Sequence, residues 1–144
     1  MKTVNELLQA KGHDYWSVTP DTSVFDALKM MADKNVGALL VLEAETLVGL
    51  LSERDYARKV ILKGRSSKKT PVKEIMSENV VYVTPDRTVE ECMALMTDKR
   101  IRHLPVMEGN RLMGVISIGD VVKAIISDQE FMIEQLEHYI SGTL

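Results

Sequence analysis

The sequence predicts an α+β fold of two repeats, each running strand, helix, strand, strand, helix (βαββα) and both packed with pseudo-twofold symmetry into one module. Residues 49–55 (GLLSERD) recur as residues 114–120 (GVISIGD), an offset of 65 positions. In each copy an apolar run ends in a serine, an aspartate follows three positions later, and the apolar spacing then changes to that of a helix. Two repeats are fewer than a stacked solenoid needs, so we expect a pseudo-twofold pair.

The constant offset extends through both repeats without a gap. It pairs Val18 with Val83 and Ser52 with Ser117. It also aligns both copies of Thr-Pro-Asp, at 19–21 and at 84–86. The two halves are therefore expected to share one architecture.

Backbone preferences place the elements of the first repeat. The Thr19-Pro20-Asp21 turn ends an extended segment at 13–18, because proline fixes its own φ and restricts the residue before it. Apolar spacing over 24–34 predicts a helix. The apolar runs 38–42 and 47–51 predict the two strands of a hairpin, and a helix then runs from Ser52 to about Lys63.

The chain is expected to divide into a first repeat at 8–63, a linker with a short helix at 64–77, a second repeat at 78–130 and a C-terminal helix at 131–144. The linker begins with a polar, small-residue stretch at 64–70. Pro71 suits the first position of a helix at 72–76. A short N-terminal helix, capped by Thr3 and carrying Val4, Leu7 and Leu8, precedes the first repeat.

Composition excludes several classes of protein. The 144 residues carry a net charge of −3 and 45% hydrophobic residues, so no basic field favours a nucleic acid polymer. The single cysteine, Cys92, lies in a helical pattern where packing is its expected role. Neither a secretory signal nor a membrane span is expected, which predicts a cytoplasmic protein.

The pattern Ser-x-x-Asp has two interpretations. It can be a capping box, in which the hydroxyl accepts from the third helical amide and the carboxylate accepts from the amide of the serine. Such boxes are expected at Ser23 and Thr88, where no glycine-led strand arrives. At Ser52 and Ser117 a strand delivers the motif at equivalent places in two repeats, which also favours a binding site.

The succession Val-Thr-Pro-Asp, helix, apolar hairpin and Gly-x-x-Ser-x-x-Asp, present twice, resembles the paired CBS domain, named after cystathionine β-synthase. The resemblance covers about residues 13–63 and 78–130. It implies a stand-alone, bacterial-type regulatory module without catalysis that signals to a protein effector. It also implies that AMP, ADP, ATP, S-adenosylmethionine or NAD binds in clefts between the paired repeats, with AMP the favoured ligand.

The chemistry of the residues agrees with such a ligand. A carboxylate can accept from both hydroxyls of a ribose, which suits Asp55 and Asp120. Ser52, Ser117 and amides at the helix starts would bind a phosphate. Family practice adds backbone contacts around the first extended segment and the first hairpin strand. The complete predicted site is Val18, Thr19, Gly37, Ala38, Ser52, Arg54, Asp55, Val83, Thr84, Arg102, His103, Leu104, Pro105, Ser117, Gly119 and Asp120.

The two halves differ in their basic residues. Arg102 and His103 stand where the first repeat has Gly37 and Ala38, and we expect them to select ligands that carry a phosphate. The alternative is a solvated basic turn at a helix C-terminus. In the first repeat Arg54 is the comparable phosphate candidate, while Gly37 and Ala38 leave room for backbone approach.

Two other functions compete with nucleotide sensing. An enzyme is disfavoured because the chain has no glycine-rich phosphate loop and no metal-spaced His or Cys pair. A ligand-free dimerisation scaffold stays possible, with the serines and aspartates acting only as caps. The apolar stripe at 131–140 either folds back on its own module or packs against a second chain; we expect a homodimer to which the C-terminal helix contributes.

Overall fold

A computed structural model describes residues 2–142, so residues 143 and 144 of the predicted C-terminal helix lie outside the described residues. The chain divides into two units. The first-repeat unit comprises residues 14–81, and the second-repeat unit comprises residues 2–13 together with 82–142.

Five α-helices and five β-strands are formed within residues 2–142. In chain order they are α1 Val4–Lys11, β1 Ser17–Val18, α2 Val24–Lys34, β2 Ala38–Glu43, β3 Thr46–Ser52, α3 Glu53–Tyr56, α4 Val89–Lys99, β4 His103–Glu108, β5 Arg111–Ser117 and α5 Ile118–Ser141. A π-helix, Ala57–Ile61, follows α3, and a 3₁₀ helix, Val72–Glu74, precedes the second repeat. The mixed α+β class and the two repeats are confirmed.

The hairpins of the two repeats have the same register. Strand β2 pairs antiparallel with β3 so that Ala38 faces Ser52, and β4 pairs with β5 so that His103 faces Ser117. Each pair shifts register at the same place, after Val41 in one and after Val106 in the other. Both serines are therefore delivered to the sheet end in the same way.

The first extended segments differ between the repeats. In the first-repeat unit β1 lies parallel to β2, and the amide of Leu40 donates to the carbonyl of Trp16 at 3.1 Å. The position equivalent to Leu40 is Pro105, which has no N–H to donate. The first strand of the second repeat, which the repeat of the extended segment predicts at 80–83, is accordingly reduced to a single parallel bridge between Val83 and Val106.

Three predicted helices differ in extent. The helix from Ser52 was expected to continue regularly to about Lys63, but α3 has four residues and changes into the five-residue π-helix. The short helix expected at 72–76 is a three-residue 3₁₀ turn. The last helix of the second repeat and the C-terminal helix form one continuous helix, α5, of 24 residues.

Each repeat is completed by a segment that precedes the other repeat in the chain. Helix α1 packs in the second-repeat unit, with Val4, Leu7 and Leu8 buried as predicted. Residues 70–76 occupy the corresponding place in the first-repeat unit. The backbone bonds match one for one: Val4 N to Arg87 O and Val89 N to Lys2 O, against Val72 N to Thr22 O and Val24 N to Thr70 O, all at 2.8 to 3.0 Å. We refer to 2–11 and 70–76 as the docked segments.

The recurrent glycines allow the docked segments to approach the hairpins. A Cβ atom at Gly49 would lie 2.5 Å from Met76 Sδ, and one at Gly114 would lie 3.0 Å from Leu8 Cδ2. The first distance is shorter than real Cβ contacts, and the second is tighter than nearly all of them, so a side chain at Gly49 would displace Met76 and one at Gly114 would push Leu8 by a few tenths of an ångström. Close packing against the docked segment therefore explains why a glycine opens each recurrent stretch.

The interior of each unit is apolar. In helix α2 the side chains of Val24, Ala27 and Met31 are buried as expected, whereas Leu28 is half-buried. Cys92 is fully buried on α4, which agrees with its expected packing role, and burial raises the pKa of its thiol to about 11. Among residues 2–142, no helix combines the length and the apolar character that crossing a membrane requires.

Candidate functional site: the two strand-to-helix corners

Both predicted motifs form complete capping boxes at the junction of a strand and a helix. At the second corner, Ser117 Oγ accepts from the amide of Asp120 at 3.2 Å, and Asp120 Oδ2 accepts from the amide of Ser117 at 2.8 Å. At the first corner the same two bonds join Ser52 and Asp55 at 3.2 and 2.9 Å. Thr88 also forms a full box, whereas at Ser23 the bond from the Asp26 amide to the hydroxyl is the one that forms.

The amides expected to bind a phosphate are partly used within the protein. The first helical amide, on Glu53 in one corner and Ile118 in the other, donates to the carbonyl of Gly37 or Arg102 at 3.1 and 2.8 Å. The third amide is taken by the serine hydroxyl. The anion site predicted from unsatisfied helix amides is therefore smaller than expected, and side chains must supply most of its positive charge.

A lysine that the sequence analysis missed contacts the carboxylate of the second corner. Lys11, at the end of α1, places its Nζ 2.6 Å from Asp120 Oδ2 and 2.9 Å from the carbonyl oxygen of Val115. The partners are 109 positions apart in the chain. No local pattern could have indicated this pair, because it depends on the docking of α1 in the second-repeat unit.

The first corner has its own lysine, which comes from the opposite direction. Lys59 lies four residues after Asp55 on the same helical segment, with its Nζ 3.2 Å from Asp55 Oδ1. The same ammonium donates to the carbonyl of Ile75 in the docked segment at 2.9 Å. Here the spacing of four residues between Asp55 and Lys59 was a usable signal.

The contacts of the two carboxylates are distributed differently. At Asp120 the bonds from Ser117 N and Lys11 share one oxygen, Oδ2. At Asp55 the amide and hydroxyl of Ser52 contact Oδ2, and Lys59 approaches Oδ1. Both oxygens of Asp55 thus have partners within its own unit.

Electrostatics at the second corner favour an ionised aspartate beside a neutral histidine. Burial opposes ionisation of Asp120, but the Lys11 ammonium and the Ser117 amide outweigh it and hold the pKa of the carboxyl below its ordinary value. Burial also lowers the pKa of His103, against the opposing effect of Asp120 and with help from Lys11 and Arg102. At neutral pH the positive charge of this corner therefore comes from Lys11 and Arg102 rather than from His103.

The remaining predicted residues belong to the same unit as their corner, but Val18 lies level with Val41 and Gly49, three residues along the sheet from Ser52, and Val83 lies level with Val106 in the same way. Thr19 uses its hydroxyl in a bond with Thr22 at 3.0 Å, and Thr84 donates to Asp86. Arg54 and Gly119 lie in the first turn of α3 and α5 and are exposed. The others are strand or strand-adjacent residues, buried or half-buried: Val18, Gly37 and Ala38 in one unit, and Val83, Leu104 and Pro105 in the other.

A depression of about 290 Å³ adjoins the first corner. Gly37 and Glu53 belong to both the corner and the depression, whose other walls are mainly apolar side chains of α2. Within residues 2–142, no three His, Cys, Asp or Glu side chains are grouped so that they could hold a metal ion.

Two matching repeats, each a helix, a hairpin and a further helix with a serine and aspartate corner at the end of the hairpin, define a paired-repeat fold of the regulatory kind. The model of the CBS domain matches residues 11–62 and 72–127, and the chain belongs to this family. It is similar to the mitochondrial CBS domain-containing protein CBSX3 of Arabidopsis thaliana, at 43% identity over 97% of this chain and 72% of that protein. Because that relative is mitochondrial, the cytoplasmic location stays a prediction.

Solved structures agree with the fold. A protein with CBS domains from Burkholderia ambifaria superimposes with a TM-score of 0.86 at 52% identity, covering 89% of this chain and 96% of that one. The CBS domain pair of protein MJ0100, in complex with 5′-methylthioadenosine and S-adenosyl-L-methionine, has a TM-score of 0.78. At 22% identity, with 89% and 98% of the two chains covered, that likeness shows the fold alone.

Proposed function

We propose that this protein is a non-catalytic regulatory module that binds an adenine nucleotide at its serine and aspartate corners. Binding of the nucleotide is then signalled to a protein effector. AMP is the favoured ligand, and ADP, ATP and NAD are the other candidates. The observation that carries the proposal is the second corner, where Asp120 contacts Ser117 and Lys11 and the backbone carbonyl of Arg102 accepts from the amide of Ile118. A half-buried carboxylate beside the Lys11 ammonium, with an exposed arginine in the adjoining backbone, offers acceptors for a ribose and charge for a phosphate.

The contacts of the Asp120 carboxylate favour it as the group that binds the ribose. The bonds that Asp120 accepts from the Ser117 amide and from Lys11 both fall on Oδ2, so a ribose hydroxyl that donates to Oδ1 need not displace Lys11. A hydrogen bond to an ionised group contributes roughly 1.5–3 kcal/mol, which corresponds to about a ten- to hundredfold change in Kd. The depressed pKa keeps Asp120 ionised, and therefore a pure acceptor, across the physiological range.

The phosphate is assigned to the basic side chains of the same corner. Arg102 is exposed and permanently charged, and Lys11 is held near Asp120. His103 has a lowered pKa, so in its neutral form it contributes a single N–H donor rather than a charge. Phosphate selectivity is accordingly expected to depend more on Arg102 than on His103.

The second corner is expected to bind more tightly than the first. At Asp55 a ligand hydroxyl must compete with Lys59 for Oδ1 or with Ser52 for Oδ2. The first corner also has Gly37 and Ala38 in place of Arg102 and His103. A known complex of the same fold with adenosine ligands supports the ligand class, while the particular nucleotide rests on the corner chemistry.

Calorimetric titration of the full chain with AMP, NAD and adenosine tests the proposal. We expect Asp120→Ala to raise Kd of the tighter site about ten- to hundredfold. In the matched control, Asp55→Ala, the Kd of the tighter site should change by less than about twofold, and only the weaker binding should be lost. Melting temperatures of both variants without ligand report the contribution of the caps, about 1 kcal/mol each.

Unchanged binding in both variants, together with lowered melting temperatures, would contradict the proposal. That result would favour the second candidate, a ligand-free scaffold, which the complete capping boxes at Ser52 and Ser117 support. Incubation of the purified protein with each nucleotide, followed by chromatography, tests the absence of turnover. A product that accumulates with Asp120 intact and not with Asp120→Ala would make the protein an enzyme.

A further inference from the structure

Within residues 2–142, the apolar side chains in the second half of α5 are left uncovered. Beyond residue 127, its apolar side chains project into solvent instead of folding back on the module: Phe131, Met132, Ile133, Leu136, Tyr139 and Ile140 are each 55–86% exposed. We name residues 128–141 the α5 tail. The tail continues a helix whose first half is anchored by the buried Val121 and Ala124, and its contiguous exposed apolar side chains mark an interaction surface.

The exposed residues follow a heptad repeat. Val122, Ile126, Gln129, Ile133, Leu136 and Ile140 alternate at spacings of four and three residues, which is the a/d pattern of a two-stranded coiled coil. The a positions are all isoleucine: Ile126, Ile133 and Ile140. Isoleucine at a with leucine at d, as at Leu136, favours a parallel pair of two helices.

We propose that α5 pairs in parallel and in register with α5 of a second copy of this chain, through the stripe from Val122 to Ile140. This inference does not depend on nucleotide binding at the corners. It specifies which helix joins two chains and in which orientation.

Gln129 favours the parallel arrangement over the antiparallel one. In a parallel pair, Gln129 faces the same amide of the partner, and each side chain can donate to and accept from the other. In an antiparallel pair that overlaps the whole stripe, Gln129 faces Ile133 of the partner subunit. A buried amide without a partner is unfavourable, so the antiparallel register is disfavoured.

The charges beside the stripe agree with the parallel pair. Glu130 and Glu137 occupy e positions, while Met132 and Tyr139 occupy the g positions. Parallel pairing places each e residue against a g residue of the partner, so the glutamates face uncharged side chains. The tail still carries Asp128, Glu130, Glu134 and Glu137, and the repulsion between two tails should weaken as salt is added.

Sedimentation equilibrium of the full chain tests the pairing. We expect a dimer whose Kd rises roughly a hundredfold in Ile133→Asp, because a charge then replaces a central contact. Phe131→Asp is the matched control, since Phe131 is equally exposed and lies at an f position on the opposite face; its Kd should stay within about twofold. Kd should also fall when the salt concentration rises from about 0.05 M to 0.5 M.

Disulfide formation tests the orientation in a Cys92→Ala background. Leu136→Cys should cross-link two chains under mild oxidation, because equivalent d positions meet in a parallel pair. Phe131→Cys should not. A monomer at micromolar concentration, equal effects of Ile133→Asp and Phe131→Asp, or cross-linking of Phe131→Cys in preference to Leu136→Cys would overturn the proposal. If added salt weakens the dimer, the acidic tail would instead contact a basic surface.

Discussion

The two corners form the same three-way link with lysines that come from opposite sides. At the first corner, Lys59 belongs to the corner helix and reaches out to Ile75 of the docked segment. At the second corner, Lys11 belongs to the docked segment and reaches in to Asp120. In both units an ammonium joins the capping carboxylate to a backbone carbonyl.

Both corners have the link, but each forms it with a lysine from a different position in its repeat. The position equivalent to Lys59 in the second repeat is Ala124, which is buried. Aligning the repeats at the offset of 65 therefore does not show that both carboxylates are neutralised. The physical requirement, a cation beside a half-buried aspartate, is met by whichever segment can reach it.

The largest loss of stability is expected from a substitution in one docked segment and not from the matching substitution in the other. Leu8 is fully buried and Met76, its counterpart, is half-buried. Leu8→Ala should lower the free energy of unfolding of the second-repeat unit by about 2–4 kcal/mol, and Met76→Ala should cost the first-repeat unit about 1 kcal/mol.

Urea unfolding can read the two units separately, because the single tryptophan, Trp16, lies in the first-repeat unit. In Leu8→Ala we expect the circular dichroism transition to begin at lower urea than the Trp16 fluorescence transition. Coincident transitions that shift together would show that the units unfold as one.

An intermediate effect is expected for the two lysines. Lys11→Met leaves Asp120, whose side chain is 25% exposed, without the cation 2.6 Å away, and should cost about 1–2 kcal/mol. Lys59→Met removes a longer contact, 3.2 Å, made by a more exposed lysine within one helical segment, and about 0.5–1 kcal/mol is expected. Thermal unfolding at low salt measures both. A larger loss for Lys59→Met would reverse the assignment of the stronger link to the second corner.

The smallest effect is a pH dependence confined to the second corner, since Ala38 stands at the place of His103 in the first. The folded-state pKa of His103 lies below its ordinary value of 6.5, so the unfolded chain binds the proton first as pH falls. Stability of the second-repeat unit should therefore decline from about pH 6.5 down to the lowered pKa and be unaffected above it.

His103→Gln should remove that decline and leave a second one at lower pH. The second decline belongs to Asp120, whose pKa is also lowered, so its stabilisation is present above the ordinary carboxyl value and is lost as pH falls through the folded-state pKa. Urea unfolding at about pH 7 and about pH 5 makes the comparison. If the free energy of unfolding changes by the same amount between the two pH values in the parent and in His103→Gln, the assignment to His103 is wrong.

The local parts of the fold could be predicted from the sequence. The caps at Ser52 and Ser117 follow from residue types three positions apart, and the hairpins follow from apolar runs. The Lys11 to Asp120 contact could not be predicted, because a distant pair leaves no periodic signal. The loss of the strand at 80–83 also escaped prediction, although Pro105 carried the reason: its missing N–H matters only once the parallel neighbour is known.

The exchange of docked segments has a consequence for the order of folding. All the core residues of the first-repeat unit, from Val18 to Ile75, lie in one continuous stretch of chain. This stretch leaves the ribosome before Asp120 is synthesised, and it can close its core without α1. Helix α1 is made before the first-repeat unit but docks after it, because its partners lie in residues 82–142. Closing that long loop makes docking of α1 an entropically costly, late step in the maturation of the protein.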